Sequence, residues 1–182
     1  MNTKKRTIIG ILAMIIVLAV SAGCLFGCGS GKGSPEGVAK AYIEATKACD
    51  AKKIVNLMPK EIVEMAAEEK YDGDKTKMIE AMQDDLDETK KRAEEKDIDM
   101  SKLQYEILGI EDADEDDIEK LNESLKNEGL DVKIKDAKTV EIELSYPSED
   151  GGEDKTQTTK LGVVKIGSSW YILAASFSGA TF

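Results

Sequence analysis

Apolar positions fall into three patterns along the chain. The first is a near-continuous run: Ile8 to Val20 (IIGILAMIIVLAV) is 13 residues without a charge. The second is helical spacing, which fills residues 35–96. Val38, Ala41, Tyr42, Ala45 and Cys49 predict a helix opened by Ser34-Pro35-Glu36, with Ser as N-cap, Pro at the first helical position and an acid in the first turn. Asp50 caps a short helix carrying Ile54, Leu57 and Met58, which Pro59 stops. A third helix, Lys60 to Lys70, has Ile62, Met65 and Ala66 on one face. After a turn at Tyr71–Asp74, Asp74 caps a long helix with Met78, Met82, Leu86 and Ala93 inward.

From Leu103 the period becomes two. Leu103, Tyr105 and Ile107 alternate, then Leu108 and Ile110 fall on the other face, which predicts a strand kinked at Gly109. Ile118, Leu121 and Leu125 return to helical spacing over Asp114 to Asn127, ended by Gly129. Val140, Ile142, Leu144 and Tyr146 then alternate with Thr139, Glu141, Glu143 and Ser145, as in a strand with one wet face. Pro147 to Asp154 is a polar loop. Thr158–Ile166 and Trp170–Leu173 are two further strands, joined by a hairpin turn at Gly167-Ser168-Ser169. The expected fold class is α+β, with N-terminal helices packed on one side of a curved antiparallel sheet over residues 35–182. Trp170 is expected to be buried against the first helix, near Tyr42 and Ala45.

The apolar run has the anatomy of an export signal. Lys4, Lys5 and Arg6 precede it, and Ser21-Ala22-Gly23 follows with small residues. Leu25-Phe26-Gly27-Cys28 resembles the bacterial lipobox, with Phe26 bulkier than usual. This divides the chain into a signal peptide (1–27), a lipidated Cys28 with a flexible tether (28–34), and one domain. Ser21-Ala22-Gly23-Cys24 makes Cys24 the alternative lipidation site. The other alternative is an uncleaved membrane helix, because Thr7 to Gly31 is uncharged. Every version keeps the basic end inside and the rest outside. A diacyl anchor would hold stably. The tether Gly29 to Ser34 would reach about 20 Å.

Charge narrows the partners. Removing the residues before Cys28 discards three basic residues and no acid, which takes the formal charge from −11 to −14 on 155 residues. Nucleic acid is excluded as a partner by that charge, and anionic headgroups are expected to push the domain off the bilayer. The chain has no His, so the commonest general base and zinc ligand are missing. With Cys24 removed and Cys28 acylated, Cys49 has no partner and reads as a small buried hydrophobe. Lys outnumbers Arg 23 to 2, a compositional hint of a Gram-positive-like source.

The opening Ser34-Pro35-Glu36, Val38, Tyr42, Ala45 and Asp50, together with the ending Val163 to Ile172 around Trp170, resemble the nuclear-transport-factor-2-like (cystatin-like) cone. The closest likeness is to Gram-positive lipoproteins that carry a domain of unknown function. The helix at Asp114–Asn127, between strands, departs from the simplest version. The superfamily includes isomerases, dehydratases and plain binding modules, so fold does not decide function.

Two acidic stretches invite a cation. Asp112, Asp114, Asp116 and Glu123 sit at the spacing of a calcium loop, but Asp117 stands where the turn needs Gly and Ile118, Leu121 and Leu125 keep helical register through it. An acidic first helical turn accounts for the same residues. Glu149 to Asp154 reads as a solvated loop. No metal, cofactor or catalytic residue is expected. Candidate ligand-binding residues are Tyr42, Tyr105, Ile142 and Tyr146, which line the concave face of the sheet opposite residues 35–70. The expectation is a non-enzymatic, membrane-anchored binding or accessory module on the cell surface, for a hydrophobic small ligand or an envelope protein. The alternative is a small lyase or isomerase using a carboxylate/Tyr pair inside the cone.

Overall fold

A computed structural model describes residues 31–95, 102, 104–146 and 155–173, with only the backbone of Tyr146 and Lys155. The expected export signal, both candidate lipidation sites, Leu103 and the acidic loop at 149–154 lie outside these residues.

Four helices come first: α1 (Pro35–Lys47), α2 (Ala51–Asn56), α3 (Lys60–Tyr71) and α4 (Lys75–Glu94). Three of their starts are fixed by side-chain caps. The Ser34 hydroxyl accepts from Gly37 N–H, Asp50 from Lys53 N–H, and Asp74 from Thr76 and Lys77 N–H, which satisfies donors the first turn leaves open. Between α1 and α2 the chain reverses through Cys49 in a left-handed conformation, φ 49°, unfavourable for a residue with a Cβ. Gln83 of α4 holds that turn from both sides. Its Nε2 donates to Cys49 O (2.7 Å) and its Oε1 accepts from Ala51 N–H (3.2 Å).

The rest is β1 (Gln104–Asp112), α5 (Glu115–Asn127), β2 (Ile134–Tyr146), β3 (Lys155–Ile166) and β4 (Ser169–Ile172). The strands form one antiparallel sheet in the order β1-β2-β3-β4. The kink expected at Gly109 is a register shift between Ile107 and Gly109. It leaves Leu108 and Ile110 at 49% and 41% exposure on an edge strand. β2 begins five residues before the alternation at Thr139. A second irregularity between Ile134 and Asp136 breaks the period there, and Asn122 of α5 replaces the missing regularity. Its side-chain amide accepts from Ile134 N–H (2.7 Å) and donates to Ile134 O (3.0 Å).

Pairing sorts the sheet residues onto two faces. Val140, Ile142, Leu144, Leu161, Val163, Trp170 and Ile172 meet Val38, Ala39 and Ile43 of α1 and Leu57. Trp170 is buried there at 4% exposure. Tyr42 packs against the same cluster, whereas Ala45 turns instead toward Cys49, Ile54 and Leu86. On the other face Ile134, Ala137 and Val164 meet Ile118, Leu121 and Leu125 of α5. Helices therefore cover both faces, not one. The two layers join around the β4 edge, where Leu125, Leu130 and Leu173 pack against α3. β4 is closed in turn by backbone bonds from Trp170 N–H to Lys32 O (2.8 Å) and from Ile172 N–H to Leu57 O (2.9 Å). Among the described residues no helix is long and apolar enough to cross a membrane.

Candidate functional site

The residues expected to line a ligand site sit in different surroundings. Ile142 is 1% exposed inside the core under α1, and Tyr42 and Tyr105 pack against that same cluster. Tyr146 pairs with Lys155 at the end of β2, and its side chain lies outside the described residues. Val38 and Ala39, both at 0% exposure, and Ile43 fill the space between α1 and the sheet. Three of the four expected residues are thus brought together, but as parts of a packed core.

The polar groups of this face gather where α1 passes β1. Tyr105, opposite Leu144 in the ladder, lies beside Glu44. Burial, and after it the charge and hydrogen bonding of Glu44, raise the phenol above its usual value of 10. Burial raises Tyr42 as well. One carboxylate oxygen of Glu44, Oε1, is buried without a hydrogen-bond partner, a cost of about 1–3 kcal/mol in a neutral setting and more for a charge. Cys49 is a free thiol at 8% exposure, and burial raises its pKa, which works against thiolate chemistry.

The opposite face carries a cavity of about 430 Å³ between α5 and the sheet. Small residues make its floor: Ala137 and Thr139 of β2, Gly162 and Val164 of β3. Gly162 pairs with Thr139, and a Cβ built on Gly162 would meet nothing within 4 Å. Leu121 and Leu173 form apolar walls, and Asp117 and Lys120 supply charge. Lys138 also borders the cavity, but as the ladder partner of Val163, with its ammonium 5.9 Å from the Trp170 ring centre, it directs its side chain to the α1 face. Asp117 and Lys120 are ion-paired at 2.9 Å, and Lys138 pairs with Asp112 at the end of β1. Those bonds raise both lysines above their usual range, so both stay charged. The cavity has one ammonium group, Lys120, paired with one carboxylate, Asp117, over a largely apolar floor. Sequence reasoning missed it, although a Gly inside a strand signals open space or close approach.

The stretch that resembled a calcium loop is divided among three environments. Asp112 ends β1, Asp114 is the N-cap of α5, and Glu115, Asp116 and Asp117 form its first turn. Among the described residues no three acid or Cys side chains are placed to hold a metal ion.

Fold and site together define an α+β protein with an antiparallel four-stranded sheet between helical layers and a cavity under α5. The chain matches no protein family, no curated protein and no solved structure.

Proposed function

We propose that the protein is an exported lipoprotein, anchored through Cys28 to the outer face of the cell membrane, that works as a non-enzymatic binding module. We also read its helices-then-sheet order as a variant of the nuclear-transport-factor-2-like cone, with α5 added on the outer face. The cavity under α5 carries the binding reading. Its volume falls in the range of small-ligand sites, which pair an apolar lining with a few polar groups. The ligand class that fits is a small amphiphile, because an apolar floor and walls are joined by a single polar feature, the Asp117–Lys120 ion pair. The carboxylate/Tyr pair that a lyase or isomerase would need, Glu44 and Tyr105, is on the opposite face.

Two measurements test the two halves. Cells fed labelled fatty acid should label the protein, and Cys28→Ala should abolish the label. Loss only in Cys24→Ala would move the anchor to Cys24, and no label in the wild type would leave an uncleaved helix. For binding, the purified full chain is screened by thermal shift against fatty acids, lysophospholipids and peptidoglycan fragments. Saturation at 100 times Kd adds about 2.7 kcal/mol, several degrees in Tm. Gly162→Val, which fills the cavity floor, should remove the shift. A shift that survives in a folded Gly162→Val protein would place binding elsewhere.

A further inference from the structure

The residues that follow the proposed anchor belong to the fold. Gly31 lies flat against the first turn of α1 with φ +66°. A Cβ on it would meet Ala41 Cβ at 2.8 Å and Gly37 O at 2.9 Å, and a Cβ on Gly37 would meet Gly31 O at 2.6 Å. Both positions therefore need glycine for close approach rather than for freedom. Lys32 O accepts from Trp170 N–H at 2.8 Å, Lys32 Nζ sits 4.4 Å from the centre of the Tyr171 ring, and the Ser34 side chain caps α1. Four of the six residues expected as tether, Gly31 to Ser34, are thus part of the fold. Three residue steps from Cys28 to Gly31 span at most about 10 Å.

Charge is distributed unevenly about this corner. Lys32 and Lys165 flank it, with Lys165 Nζ 5.7 Å from the Trp170 ring centre. The neighbouring acids face lysines: Glu36 bonds Lys40 at 2.6 Å, and Asp136 is the ladder partner of Lys165. The far end of α1 lies about 20 Å away, at 1.5 Å per residue over its 13 residues. There Gln83 ties the helix to α4, where Asp84, Asp85 and Asp87 are exposed, while Glu88 is bonded to Arg92 and Lys90 and Lys91 lie further along.

Resting on the proposed anchor at Cys28, we infer that the domain is held in one orientation, with Gly31–Ser34 and the adjoining Gly167–Ser168 turn against the lipid headgroups. A strongly acidic domain beside an anionic leaflet is repelled within about one Debye length, roughly 8 Å. With the lysine corner down and α4 outward, the short link and the charge distribution favour the same arrangement. The domain lies on the bilayer by this corner rather than standing off it.

The test uses the full-length acylated protein in phosphatidylcholine–phosphatidylglycerol vesicles containing headgroup-nitroxide lipid. A fluorophore is placed at Ser168→Cys or at Asp84→Cys, each in a Cys49→Ala background. Several-fold stronger quenching at 168 than at 84 is expected. Equal quenching in protein that floats with the vesicles would overturn the orientation and leave the anchor standing. Protein that does not float at all would overturn the anchor and the orientation with it.

Discussion

The two faces of the sheet are built from the same strands and covered by amphipathic helices, yet one is filled and the other is not. Under α1, branched side chains from β2, β3 and β4 meet Val38, Ala39 and Ile43, and the central residues fall to 0–3% exposure. Under α5 the sheet presents Ala137, Thr139 and Gly162, and no residue of α5 itself is fully buried. The difference lies in side-chain volume at a few ladder positions. A helix resting on large residues of the sheet cannot sink to meet small ones, so the short positions leave a cavity where close packing would be normal. The filled face is suited to stability, and the other leaves the space on which the proposed binding rests.

The largest effect expected is on the filled face. Trp170→Ala should cost about 3–5 kcal/mol, on the order of ten degrees in Tm. Leu121→Ala, whose side chain is partly exposed and already borders space, should cost only about 1–2 kcal/mol, below the usual range for a buried Leu. Thermal melts of the two variants check the comparison. Equal losses would mean that α5 packs as tightly as α1.

Much of the filled face was legible in the sequence, because its signals are local. Ser34, Asp50 and Asp74 each announce a helix start by cap chemistry, and each makes the cap bond. The apolar set Val140, Ile142 and Leu144 announces its own face by period. The other face was not legible, for physical reasons. The stripe Ile118, Leu121, Leu125 says that α5 is amphipathic, but periodicity along one element carries no information about which side of a distant sheet it covers. Ile134 to Lys138 do not alternate because a bulge interrupts them, and their ladder is completed by Asn122 from another element. The cavity depends on Ala137, Thr139 and Gly162 being brought side by side, which only long-range pairing does. The glycines before α1 misled in the opposite sense. Gly-rich sequence reads as a flexible linker, but Gly31, together with Gly37 inside α1, lets two backbones touch.

Adding volume should act with opposite sign on the two faces. Gly162→Val places a β-branched side chain in a strand interior and removes the entropic cost of Gly, so a gain of up to about 1 kcal/mol is expected. Ala39→Leu, at a position with 0% exposure, has nowhere to go and should lose about 1–3 kcal/mol through overpacking. Urea midpoints with unchanged m-values are the appropriate measure. A loss in Gly162→Val comparable to that in Ala39→Leu would show that the space under α5 is not open to a side chain.

The smallest difference expected is at the helix starts, and it responds to pH. Asp50 caps α2 with a bond from Lys53 N–H at 2.9 Å and an ion pair to Lys53 Nζ at 2.9 Å. Asp114, at the same position of α5, makes no side-chain cap bond. Asp50→Ala should therefore cost about 1 kcal/mol at neutral pH, whereas Asp114→Ala should cost a few tenths of that. Hydrogen bonding from Lys53, side chain and backbone, lowers the Asp50 pKa from its usual 3.8. The folded state thus binds a proton at Asp50 less readily than the unfolded chain does. The cap's contribution is fully present above the unfolded value near 3.8 and fades as pH falls through the lower folded value. Melting wild type and Asp50→Ala from pH 7 down to about pH 2 should show the gap between them closing only below the usual carboxylate range. A gap that is constant across that interval, or one that opens toward acid, would mean that the Asp50 carboxylate is not what holds the start of α2.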